Sequence, residues 1–192
     1  LHAAQDSRID VIQIPGNVFE RGILDRISDN AETFNKVGII LHKAYAAGVL
    51  PDYFSPRELI NFVLSYPISS ALIGMGSIGH VITATNIGSF SQKLDFKTVC
   101  EKLNYFYNVI PCTRCQKCKC PYGLEIESIF RYHNYYNMGH RTWAHERLLK
   151  NLEKISVACT DCVLCVCSEG CPQNIDIKSE LQNINKYESC RK

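Results

Sequence analysis

The chain has 192 residues, 46% of them hydrophobic and 21% charged, with 21 basic against 19 acidic side chains and a formal net charge of +2. That balance excludes wholesale disorder and gives no basic field for nucleic acid or anionic lipid. No window reaches the roughly 18 uninterrupted apolar residues of a membrane-spanning helix, and Leu1–Asp6 has neither the basic nor the apolar part of a secretory leader. A cytoplasmic chain is expected, and the missing initiator methionine suggests a fragment or a processed product. Eleven cysteines, an odd number without a leader, point to metal or redox chemistry rather than a disulfide framework.

In chain order, Ile9 to Phe19 is an apolar run stopped by Pro15-Gly16, the pattern of a buried parallel strand entering a loop. Asp29 to Lys36 is helical in composition and ends at Gly38, and a second apolar run follows from Val37 to Tyr45. Ser55-Pro56-Arg57-Glu58 is a helix start, with serine as cap, proline in the first turn and an acid three residues on. A third strand is expected from Ile68 to Ile73, running into Gly74-Met75-Gly76-Ser77, with Ser77 capping a helix to about Ile87. Strands alternating with helices predict right-handed crossovers and a parallel sheet.

Three stretches carry a resemblance: Val11-Ile12-Gln13-Ile14-Pro15-Gly16-Asn17-Val18-Phe19-Glu20-Arg21, Gly38-Ile39-Ile40-Leu41-His42-Lys43-Ala44-Tyr45-Ala46-Ala47-Gly48-Val49-Leu50, and Ala71-Leu72-Ile73-Gly74-Met75-Gly76-Ser77. In order and spacing they resemble the last three βα units of an aldo/keto reductase (β/α)8 barrel. That resemblance implies an α/β fold over residues 1–90, an incomplete TIM-type barrel. It also implies a nicotinamide cofactor, NAD(P), held by Gly74, Met75, Gly76 and Ser77 together with Asn86. Backbone N–H groups at a helix start do attract phosphate, although the same glycines serve a tight strand-to-helix turn. No Arg or Lys adjoins Gly74–Ser77 to clamp a 2′-phosphate, and the family's catalytic residues belong to the earlier barrel half, which this chain lacks. Gln13, Asn17 and His42 match strand-end positions facing the family's pocket, and packing is the expected role of His42.

After Ser89-Phe90-Ser91-Gln92 the alternation stops, and residues 91–192 are expected to form a second, α-helical domain. Helices are predicted over Leu94–Tyr107, Gly123–Asn137, His140–Ile155 and Asp176–Tyr187. Cys100 reads as a small buried hydrophobe, Cys190 as part of a frayed tail, and the aromatics Phe130, Tyr132, Tyr135 and Tyr136 as packing.

Between these helices lie two cysteine runs with one grammar. Cys112-x2-Cys115-x2-Cys118-x-Cys120-Pro121 is followed by Cys159-x2-Cys162-x2-Cys165-x-Cys167-x3-Cys171-Pro172. A C-x2-C-x2-C loop brings three thiolates to one corner of a cube and needs a fourth from elsewhere. In two-cluster ferredoxins the Cys-Pro cysteine of each run serves the other cluster. One residue between Cys118 and Cys120 is too short a chain for both to reach one cube, which favours the same crossing. The assignment is Cys112, Cys115, Cys118 and Cys171 on one [4Fe–4S] cluster, with Cys159, Cys162, Cys165 and Cys120 on the other. Cys167 replaces Cys165 or is spare. Two zinc sites of four cysteines each are the alternative, but zinc has no use for the third cysteine of each triplet or for the Cys-Pro. Helices between and after the runs are similar to an α-helical ferredoxin-like domain, which also follows the barrel in one branch of the aldo/keto reductases.

Two functions follow. One is an iron–sulfur oxidoreductase fragment of the aldo/keto reductase type, whose clusters move electrons for a nicotinamide site. The other is a non-catalytic electron carrier or docking subunit that pairs with a chain bearing the missing barrel strands. The expected partners are thus a redox protein or that chain, with neither nucleic acid nor membrane.

Overall fold

The computed structural model describes residues 2–85, 94–139, 141–160, 162 and 166–189. The chain divides into two compact units, Leu1–Glu101 and Lys102–Lys192.

The first unit opens with the short helix α1 (His2–Gln5) and the strand β1 (Val11–Pro15), then α2 (Gly22–Asp29) and the single turn α3 (Ala31–Phe34). β2 (Gly38–His42) and two 3-10 turns lead to α4 (Pro56–Leu64), β3 (Ser70–Ala71) and α5 (Ile78–Thr85). The sheet is parallel, in the order β1-β2-β3, with Val11 opposite Gly38 and Ile40 opposite Ser70. Its apolar centre comprises Ile27, Phe34 and Ile39 with Ile12, Ile14 and Ile68 against them. Local chemistry sets the helix starts. At α4 the Ser55 hydroxyl accepts the Glu58 N–H at 3.2 Å while the Glu58 carboxylate accepts the Ser55 N–H at 2.9 Å, a complete capping box.

The second unit begins within α6 (Phe96–Tyr107), whose residues run across the Glu101–Lys102 division. It consists of α7 (Ile126–Gly139), α8 (Thr142–Thr160), the single turn α9 (Val166–Glu169) and α10 (Ile177–Ser189). One buried cluster joins Ile126, Ile129 and Phe130 of α7 to Leu148, Leu152 and Ile155 of α8 and to Ile177, Leu181 and Ile184 of α10. No helix among the described residues is long and apolar enough to cross a membrane.

This architecture corrects the expected fold class. The chain is mixed and mainly helical with one small three-stranded parallel sheet, not three βα units of a (β/α)8 barrel followed by an α-helical ferredoxin-like domain. β3 has two residues where the apolar run Ile68–Ile73 predicts a full strand, and α5 buries none of its residues. β1 alternates between exposed and half-buried positions, whereas a barrel strand points every second side chain into a filled interior.

Candidate metal centre

The two cysteine runs lie in the second unit, and the sequence around each Cys-Pro folds twice in the same way. The Cys120 carbonyl accepts the Gly123 N–H and the Cys171 carbonyl accepts the Asn174 N–H, both at 3.1 Å. Each turn closes on a left-handed residue, with φ of +73° at Gly123 and +52° at Asn174. A buried aliphatic residue follows in each, Leu124 and Ile175, and then an acid that starts a helix. The Glu125 carbonyl accepts the Ile129 N–H, and the Asp176 carbonyl the Glu180 N–H, both at 3.0 Å. Ile126 and Ile177, the first residues of α7 and α10, are both buried. The unit therefore contains an internal repeat of Cys-Pro turn and helix.

The first loop is shaped by its backbone. Arg114 and Gln116, either side of Cys115, hold φ of +58° and +61°, a region that costs non-glycine residues of order 1 kcal/mol or more and clusters at functional loops. Left-handed residues alternating with ordinary ones turn successive N–H groups toward one side, the nest arrangement that receives anionic groups. The approach to Cys112 is clamped by Asn134 of α7, buried to 1% exposure, whose amide donates to the Ile110 carbonyl and accepts the Ile110 N–H, both at 2.8 Å. Glycine at 170 lets the loops meet closely, since a Cβ there would lie 3.2 Å from the Lys117 carbonyl oxygen. In the second run, the Lys178 ammonium donates to the Cys162 carbonyl at 2.6 Å, and the Gln182 amide donates to the Cys159 carbonyl at 3.4 Å.

The thiols sort into two neighbourhoods. Cys112, Cys115, Cys118 and Cys171 line one small cavity together with Glu127, Phe130 and Ile177. Burial pushes the Cys112 thiol up to about 12, and Cys118, Cys115 and Cys171 add to the rise. Cys118 is pushed up to about 11 by burial and then by Cys171, Cys115, Glu127 and Cys167. In the other neighbourhood burial raises Cys159 to about 11, reinforced by Cys120, Cys167 and Cys162 and opposed by Lys178. Burial is also the largest cause of the upward shift at Cys167, where Cys120 and Cys162 contribute. Each Cys-Pro cysteine thus acts on the other run's thiols, Cys171 on Cys112 and Cys118, and Cys120 on Cys159. Cys167 keeps mainly to the second set.

None of the nine described cysteines is in a disulfide. Cys165, assigned to the second cluster, lies outside the described residues, as does Asn86 of the expected nicotinamide site. Among the described residues no three His, Cys, Asp or Glu side chains converge to hold a single metal ion. A zinc site needs its four donors within about 2.3 Å of one ion, whereas a [4Fe–4S] cluster spreads its thiolates around the cube. In their chemistry the donors, soft sulfur in two sets, fit either kind of group, and they would become thiolate ligands by losing protons to the metal.

The other sequence-predicted positions separate. Gly74, Met75, Gly76 and Ser77 are all exposed. The Ser77 hydroxyl caps α5 by accepting the His80 N–H at 3.2 Å, and the Gly76 N–H donates to the His80 ring at 3.1 Å. Gly74 alone of the four lines a cleft at the carboxyl ends of β2 and β3, with His42, Lys43, Tyr45, Leu72 and Ile73. Asn17 is fully buried as a packing group, donating to the Lys43 carbonyl at 3.3 Å and accepting the Phe19 and Glu20 N–H groups. Gln13 is exposed on β1. Sequence reading passed over Asn134, Gly170, Glu127 and Lys178. The last two stand at matching places after each Cys-Pro and were recoverable from the repeat, while Asn134 has no local signal.

No family model matches the chain, and neither a curated protein nor a solved structure matches it.

Proposed function

We propose that the second unit carries two [4Fe–4S] clusters and that the chain is an electron-transferring component of an oxidoreductase. The observation that carries this reading is that Cys171, the Cys-Pro cysteine of the second run, lines the cavity of Cys112, Cys115 and Cys118 of the first. Such clusters supply one-electron transfer at potentials set by hydrogen bonds, net charge and exposure. The chain's own residues do the rest. The left-handed turns at Arg114 and Gln116 shape the first loop, Asn134 anchors its entry, and Lys178 and Gln182 tie down the carbonyls of Cys162 and Cys159. The aliphatic side chains of α7, α8 and α10 keep water from the sulfurs.

Anaerobic loading with iron and sulfide tests it. The chain is expected to take up about eight iron atoms, four per cluster. Cys171→Ser and Cys120→Ser are each expected to lose about half the iron and to leave one intact cluster signal in electron paramagnetic resonance. Uptake of two zinc ions without sulfide, or loss of the same cluster in both variants, would overturn the reading.

A second reading adds docking to electron transfer, and the surface around α5 favours it. Leu72, Met75, Ile78, Val81 and Ile82 are all exposed, Ile78 to 80%, and apolar patches of this kind mark protein contacts.

A further inference from the structure

Resting on the two-cluster reading, we propose that Glu127 and Lys178 are a pair of tuning residues of opposite sign that drive the reduction potentials of the two clusters apart. They occupy equivalent places in the internal repeat, seven residues after Cys120 and Cys171, the second residues of α7 and α10. Each side chain is half-buried and reaches the cysteine run whose own Cys-Pro turn leads into its helix. Glu127 lines the cavity of Cys112, Cys115, Cys118 and Cys171. Lys178 places its ammonium 2.6 Å from the Cys162 carbonyl. Glu127 is acidic and Lys178 basic, so the two sets of cysteines face side chains of opposite charge.

Reduction adds one negative charge to a cluster. A nearby carboxylate therefore makes it harder to reduce and a nearby ammonium makes it easier, most strongly where burial limits screening. The repeat would otherwise give the two clusters closely matched surroundings. Lys117 and Lys119 of the first loop are exposed, where solvent and salt screen them, while Arg114 is half-buried. The resulting order sends an electron from the cluster beside Glu127 to the one beside Lys178. The first is oxidised by one electron and the second reduced by one, with no bond broken and no proton moved.

The test is a dithionite titration of the loaded full chain, with each cluster followed by electron paramagnetic resonance. Two separate one-electron steps are expected. Lys178→Met is expected to lower the higher potential and Glu127→Gln to raise the lower, each changing the electron's partition between clusters about tenfold, about 59 mV for one electron. Lys178→Arg should keep the gap, and Lys178→Gln stands in should the methionine variant fail to load. A gap unchanged or widened in variants that still bind about eight iron atoms overturns the tuning alone. Failure of the unaltered chain to bind iron and sulfide overturns the two-cluster reading, and the tuning with it.

Discussion

The buried side chains of the first unit are chiefly aliphatic and aromatic, among them Leu24, Ile27, Ile39, Leu41 and Phe62, while the buried cluster of the second includes Cys112, Cys159, Cys167 and Cys171 beside Ile126 and Phe130. A hydrocarbon core needs only the exclusion of water to be stable. Thiols gathered in one core behave differently, because each one ionised raises the cost of ionising the next. Burial and then the neighbouring thiols push Cys112, Cys118 and Cys159 up, and in the two-cluster reading proposed above a cationic iron core would relieve both effects by replacing the protons. The first unit's core is thus chiefly hydrocarbon, while the second gathers thiols among its aliphatic residues.

The sharpest way to break this comparison is to injure the hydrocarbon core. Leu41 is fully buried at the centre of the sheet, so Leu41→Ala should cost about 2–5 kcal/mol. The expected result is early thermal melting of the first unit by circular dichroism, with the iron content of the second unchanged. Iron lost in proportion to the melting would show that the units do not differ in this way.

A smaller effect isolates the helical scaffold of the second unit from its sulfurs. His133 of α7 is buried, with its ring 2.9 Å from the Asn137 amide, and burial lowers its pKa to about 4 against an attraction from Glu188. A histidine depressed in the folded state contributes stability that is complete above its unfolded value near 6.5 and is lost as pH falls through about 4. Full loss amounts to about 3 kcal/mol. Urea unfolding of the chain and of His133→Gln, from pH 7.5 downward, should show the variant losing less stability than the parent below pH 6.5. Parallel curves would count against the assignment.

The smallest effect concerns the meeting of the two runs. Gly170→Ala puts a methyl 3.2 Å from the Lys117 carbonyl, and a fixed backbone atom must shift by a few tenths of an ångström. A cost of about 1 kcal/mol is expected. Because both loops move, iron binding should weaken more than thermal stability does, and the ratio of the two losses is the measurement.

Legibility in the sequence followed the range of the interaction responsible. The capping box at Ser55 and Glu58, the cap at Ser77 and the parallel order of the apolar runs are all present, since each depends on residues close in the chain or on a repeating pattern. Asp29–Lys36 as a helix was displaced: α2 occupies Gly22–Asp29, where Ile23, Leu24 and Ile27 carry the helical period, and one turn remains beyond Asn30. The strand expected over Ile68–Ile73 shrank to Ser70–Ala71, because an apolar run becomes a strand only where a neighbour offers hydrogen bonds along its length. The barrel-type fold failed for a related reason: three strand-like runs specify local conformation but not closure, which depends on contacts between distant segments.

Thiol number, triplet spacing and the repeated Cys-Pro turn belonged to the sequence alone, because covalent spacing decides which sulfurs can share a loop. Where Cys167 stands, and which cysteines Glu127 and Lys178 are paired with, belonged to the tertiary structure. Those pairings come from packing α7, α8 and α10 around one core, and no short-range pattern encodes the approach of segments so far apart in the chain.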